Sequence, residues 1–258
     1  MSRAALLDDA YAKIDWAGKR LDELKVEVSD FVHREPRPYQ LTGDRDANTG
    51  DYLIRVRAEP PPPQIALLVS DVLCSLRPSL DYLVFALAIL DSGKRQDGTQ
   101  FPICNTPKNF ATKQGWIQAL SDPHKATIEG LQPYPGRKDN EWLAVLRDRS
   151  NPDKHRHLHV TPSIVDGEFR VLPDFLRGVG RPTVGFAVTG SSHVGFGPPG
   201  LAPPILKAQR PQRSRNEMNV HLDLALGITF ADSAPVVETL EILQSQVRQL
   251  IDAFKPDF

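Results

Sequence analysis

Residues 64–90, QIALLVSDVLCSLRPSLDYLVFALAIL, decide how the rest of this chain is read. Val69, Leu73, Leu76, Leu80, Leu83, Leu87 and Leu90 recur at steps of four and three, the spacing that lines side chains along one stripe of an α-helix. The stretch therefore predicts a central helix with a continuous apolar face. Arg77 and Asp81 interrupt it one turn apart, where opposite charges at i and i+4 face each other. With Ser70 they fall within about 40° of one another on an ideal helix of about 3.6 residues per turn. Pro78 lies between them, and because its ring displaces the carbonyl four residues earlier, a kink is expected near Cys74 or Ser75. The charge-free run Tyr82–Leu90 is too short to cross a bilayer, and Asp71, Arg77 and Asp81 punctuate the longer window, so no membrane partner is expected.

Two other stretches carry the same spacing. Leu7, Ala10, Ile14, Ala17, Leu21, Leu24, Val28 and Phe31 mark an amphipathic helix near the start of the chain, with charged residues between them. Val236, Leu240, Leu243, Val247, Leu250 and Phe254 mark another near the end. Shorter helices are expected at about 109–120, 121–130 and 139–149. The last should stop at Asn151-Pro152, because a residue before proline is pushed out of helical geometry.

Between the helices the period changes to two. Tyr52, Ile54 and Val56 alternate with Leu53, Arg55 and Arg57 after a Gly/Asp/Asn-rich turn, which predicts a β-hairpin over 38–58. In SIVDGEFRV, Asp166-Gly167 between two β-rich runs predicts a second hairpin, and residues 183–189 another strand. Val220, Leu222, Leu224, Leu226, Ile228 and Phe230 alternate with polar or small residues and predict a long strand with one buried face. The expected fold is α+β: three long heptad-patterned helices in one bundle, with the β-hairpin and an antiparallel sheet over about 156–231 attached. Because the last helix must return to the first, a single domain over 1–258 is expected, its helical core at 1–35, 62–150 and 234–256 and its β portions at 38–58 and 156–231.

The chain has 258 residues, 40% of them hydrophobic, enough for a substantial core. Its 31 basic and 32 acidic residues leave a formal net charge of -1, which argues against a chain-wide field for nucleic acid or membranes but not against a local basic patch. Two cysteines are too few for a disulfide scaffold, and the first twenty residues lack the apolar core of a secretory signal, so a cytoplasmic setting is expected.

The densest chemistry is NPDKHRHLH, residues 151–159. Asn151, Lys154, His155 and Arg156 suit a phosphate or carboxylate, with His155 as general base near neutral pH and Arg149 or Arg156 steadying negative charge. The competing reading is structural: Asn151 ends a helix, and Lys154 and Arg156 complement its negative end. Arg77 and Asp81 carry the same two readings, a brace satisfied by its own partners or the wall of an anion pocket. His155, His157 and His159 alternate, and on a strand they would share one face as metal ligands sometimes do. No Cys, Asp or Glu set of recognisable spacing accompanies them, so metal chemistry stands as an alternative and no cofactor is expected. The acid-free run KAQRPQRSR at 207–215 has no interleaved aromatic residue to stack a base and reads as a solvated loop.

Several segments together resemble a family. LRPSLDYLVFALA at 76–88, with Phe101-Pro102-Ile103, Leu131-Gln132-Pro133-Tyr134 and Asn151-Pro152-Asp153-Lys154-His155-Arg156, is similar to a family of uncharacterised bacterial proteins in which a Leu-Arg-Ser-x-Leu-Asp-x-Leu helix precedes an Asn-x-x-Lys-His-Arg motif. Pro78 stands where that pattern has Ser. No activity comes with this likeness. A weaker likeness is to HEPN domains, compact helical bundles whose signature is Arg, a short spacer and His near a helix end; Arg149 and His155, with residues 150–154 between, fit that spacing. Those domains usually place a polar Asn, Asp or His directly after the Arg, and here Ser150 follows it. What this second resemblance implies is a metal-independent ribonuclease or toxin of a defence system, with RNA as partner. The alternatives are a non-catalytic binding or scaffold protein and the three-histidine metal enzyme. The heptad seams also suggest a homodimer through helix faces.

Overall fold

A computed structural model describes residues 4–45, 52–155, 160–173, 194–195, 205–208 and 218–258. The fold is α+β, with six α-helices and two antiparallel sheets among the described residues. It forms two compact units, one of Met1–Lys25, Ala66–Leu158 and Val237–Phe258, the other of Val26–Ile65 and His159–Val236.

The first unit contains α1 (Asp8–His33) as far as Lys25, α2 (Pro63–Ser92) from Ala66, α3 (Pro107–Ala111), α4 (Asp122–Gly130), α5 (Glu141–His155) and α6 (Val236–Phe254) from Val237. Leu7, Ala10, Ile14, Ala17, Leu21 and Leu24 are buried, as are Val69, Leu73, Leu76, Leu80, Leu83 and Leu87 of α2 and Leu240, Leu243, Val247, Leu250 and Phe254 of α6. Helix α2 is long and apolar enough to cross a membrane by composition, yet 61% of its most apolar window is buried inside the protein, as in a core helix. It is continuous through Pro78. Two serine hydroxyls bond carbonyls around the proline, Ser75 Oγ donating to Asp71 O at 2.8 Å and Ser79 Oγ to Leu76 O at 2.6 Å.

Helices α1 and α6 lie antiparallel. Tyr11 donates to Asp252 at 2.6 Å, Arg248 pairs with Asp15, and Lys25 pairs with Glu241 at 2.8 Å, so successive contacts climb one helix and descend the other. Gly18 sits on this seam; a Cβ there would lie 2.6 Å from Gln244 Nε2, whose amide reaches Ile14 O at 3.4 Å.

The short elements begin where their caps dictate. Thr106 in extended geometry accepts the Asn109 N–H at 3.2 Å, and Pro107 occupies the first turn of α3, where a missing N–H costs nothing. Helix α5 departs from expectation. It continues through Pro152 to His155 rather than ending at residue 151. Proline removes one helical hydrogen bond at about 3 kcal/mol, but Leu143, Leu146 and Ser150 bury one face of this helix, and that packing outweighs the local preference.

The second unit holds both sheets. β1 (Tyr39–Arg45) and β2 (Tyr52–Ala58) form the expected hairpin, in register from Tyr39↔Ala58 to Arg45↔Tyr52, and β5 (Ile205–Ala208) pairs with the free edge of β2. In the other sheet β3 (Val160–Pro173) lies between β4 (Val194–Gly195) and β6 (Met218–Phe230). The hairpin expected at Asp166-Gly167 is absent. β3 runs through both residues and pairs with β6 from Val160↔Phe230 to Pro173↔Met218, with a register irregularity between Ile164 and Asp166. The unbroken alternation of β6 offers a partner along the whole of β3, and a bulge absorbs the turn-forming pair without reversing the chain. Ile228, Thr229 and Phe230 are all buried, so the end of β6 is covered on both faces, where one buried face was expected. The strand expected over 183–189 lies outside the described residues.

Candidate functional site

Arg77 and Asp81 meet as their spacing requires. Arg77 Nη1 donates to Asp81 Oδ1 at 2.7 Å, Arg77 Nη2 donates to Phe101 O at 2.8 Å, and the Phe101 N–H donates back to Asp81 Oδ1 at 2.8 Å. A fully buried Phe101 side chain anchors the segment held in this way. The pair therefore closes a ring of three hydrogen bonds on the backbone of a neighbouring extended segment, and its two charges satisfy each other at the edge of the core. Phe101-Pro102-Ile103-Cys104 is held again three residues on, where Cys104 N–H donates to Gln132 Oε1 at 2.8 Å and Gln132 Nε2 donates to Ile128 O at 2.9 Å. Gln132 is wholly buried, so all of its pairing is internal.

Burial pushes the Cys104 thiol up, against the opposing pull of Lys113 and Arg147. A buried thiol held protonated is a poor nucleophile. Tyr134 is buried, and burial, then the neighbouring Glu129 carboxylate, push its pKa up. Arg137 stacks over the Tyr134 ring at 4.8 Å and donates to Glu129 O and Gly130 O at the C-terminal end of α4. Arg147 is engaged by Asp148 and by Asn105 Oδ1, both at 2.8 Å.

A second charged cluster escapes the sequence. His124 Nδ1 lies 2.7 Å from Asp91 Oδ2 and 3.1 Å from Ser121 Oγ, while Asp91 Oδ2 also accepts the Ser121 N–H at 2.7 Å. The other ring nitrogen, Nε2, lies 3.4 Å from Asp257 Oδ2. Ser121 is the residue before α4, yet its hydroxyl does not cap the helix; the carboxylate of Asp91, from the end of α2, takes its N–H. Burial acts to raise the Asp91 pKa, but the hydrogen bonds from His124 and Ser121 outweigh it and hold the carboxyl below its ordinary value. Serine, histidine and aspartate are all present, but Ser121 and Asp91 contact the same ring nitrogen. A nucleophilic triad needs them on opposite nitrogens, so this is not one. The only sign of it in the sequence is Ser121-Asp122-Pro123-His124, a helix start with histidine where a capping box has Glu or Gln.

Arg149, half-buried, and Asn151, exposed, lie on α5, and the backbone of the same helix carries Lys154 and His155. Asn151 thus lies inside the helix instead of ending it. The side chains of Lys154 and His155, and the whole of Arg156, His157 and His159, lie outside the described residues. Ser150 is buried and its hydroxyl donates to Arg147 O at 3.2 Å. Among the described residues no group of three or more His, Cys, Asp or Glu is arranged to hold a metal ion.

Neither a family model, a curated protein nor a solved structure matches this chain.

Proposed function

We propose that this chain is a HEPN-like ribonuclease that acts on RNA without a metal, in a toxin or defence role. The observation that carries the reading is the continuity of α5 through Pro152 to His155, which puts Arg149 and His155 on the last turns of one helix. In this reading the Nδ1 or Nε2 of His155 takes the proton of a ribose 2′-hydroxyl. The resulting alkoxide attacks the adjacent phosphorus, the 5′-oxygen leaves, and Arg149, Lys154 or Arg156 stabilises the added negative charge on the phosphorane. Asn151 contributes to binding the phosphate. The three long helices form a single heptad-seamed bundle, supported by the antiparallel contacts of α1 with α6 and the buried stripe of α2, and a homodimer through helix faces is part of the proposal. Incubating the full chain with single-stranded RNA in EDTA tests it: cleavage that disappears in His155→Ala is expected. Intact RNA, or cleavage unchanged by the substitution, rejects it.

A non-catalytic scaffold is favoured by a different observation. Arg77 and Asp81 bond each other and the Phe101 backbone in a closed ring. As a pocket wall they would offer a ligand little that is not already engaged; as a brace they hold the 101–104 segment. On this reading His155→Ala changes thermal stability and no activity.

A further inference from the structure

The strongest independent feature of the first unit is the imidazole of His124, set between two carboxylates from distant parts of the chain. Nδ1 lies 2.7 Å from Asp91 Oδ2 and so must carry a proton to make that contact favourable. Nε2 faces Asp257 Oδ2 at 3.4 Å. A neutral imidazole carries only one proton, so its second nitrogen would present a lone pair to a carboxylate. Both contacts are favourable together only when the ring is an imidazolium with a proton on each nitrogen. His124 and Asp91 side chains are 14% and 13% exposed, which shields their contact from water, whereas Asp257 is 44% exposed and belongs to the terminal 3-10 turn Lys255–Asp257.

We propose that His124 is a proton-operated clasp that fastens the C-terminal turn to the ends of α2 and α4 when the ring is charged and releases it when the ring is neutral. The groups that meet the ring among the described residues are Asp91 from α2, Ser121 from the start of α4, Asp257 from the terminal turn and the Phe254 ring of α6, tilted at 54° with centroids 6.2 Å apart. The charged neighbours on α4 itself, Asp122 and Lys125, bond each other at 3.6 Å. Asp91 stays ionised in mild acid, because its hydrogen bonds hold its carboxyl below the ordinary value. The fixed half of the clasp is therefore Asp91 with His124, and the releasable half is Asp257.

Amide hydrogen exchange of Phe254, Lys255, Asp257 and Phe258 in the full chain, corrected for intrinsic rates, reads the clasp directly. In the wild-type protein, protection at pH 5.5 is expected to exceed that at pH 8 by about fivefold, the scale of a partly exposed charge pair. In Asp257→Asn, which leaves the buried Asp91 contact in place, protection is expected to be the same at both values. Wild-type protection that does not change with pH overturns the proposal, and so does an Asp257→Asn variant that keeps the wild-type pH dependence. Far-ultraviolet circular dichroism of the variant confirms that the exposed substitution leaves the helices intact.

Discussion

Replacing Asp81 by alanine isolates what the charged pair in α2 does. The substitution removes the carboxylate oxygen that accepts from both Arg77 Nη1 at 2.7 Å and the Phe101 N–H at 2.8 Å. Two hydrogen bonds to an ionised group are lost, each worth about 1.5–3 kcal/mol when shielded from water. The Arg77 side chain is 12% exposed and that of Asp81 31%, so solvent compensates part of this. A loss of about 3 kcal/mol is expected, which for a chain of this size lowers Tm by about 6–12 °C. Urea unfolding followed by tryptophan fluorescence suits the measurement, because Trp16, Trp116 and Trp142 all belong to the first unit. A cycle with Arg77→Ala and the double variant should return a coupling of at least about 1 kcal/mol. A cost below about 0.5 kcal/mol with no coupling would refute the reasoning and return the pair to the class of solvated surface charges.

Other consequences follow from the α1–α6 seam and the buried stripe. Gly18→Ala gains about 1 kcal/mol of helix propensity and displaces only the flexible end of Gln244, so a small net stabilisation in urea is expected; a loss above about 1 kcal/mol would show that the close approach at Gly18 is rigid. Burial, then the hydrogen bond to Asp252, raise the Tyr11 pKa from 10.0 to about 12. Its contribution is complete below pH 10 and is lost as the pH rises towards 12, and Tyr11→Phe should flatten that part of an alkaline stability profile. The Asp91 carboxyl is held below its ordinary 3.8, so its contribution is present above that value and fades as the pH falls further; an acid titration of Asp91→Asn should lack this loss. Leu80→Ala empties a fully buried site in α2 and should cost about 2–5 kcal/mol by the same fluorescence assay.

The long helices were legible because α1, α2 and α6 each repeat apolar residues over many turns, and summed burial dominates any single residue. For the same reason the Arg77–Asp81 contact was readable: it is local, one turn of a helix apart. Reading failed where a local signal met a longer-range partner. Pro152 and Asp166-Gly167 are strong breakers by themselves, but the buried face of α5 and the thirteen-residue strand β6 outweighed them. The acceptor that completes the Arg77 ring, the backbone of Phe101, was invisible because backbone groups leave no mark in a sequence. His124 was missed for a related reason. Its partners Asp91 and Asp257 come from other elements, and no periodicity links residues brought together only by the fold.

The most direct test of the proposed function is the chemistry of the ends left on RNA. Full-length protein in EDTA should yield fragments ending in a 2′,3′-cyclic phosphate, as attack by the neighbouring 2′-hydroxyl requires, and His155→Ala should yield none while retaining the wild-type circular dichroism spectrum. RNA that stays intact with the wild-type protein, or identical ends with the variant, would contradict the assignment.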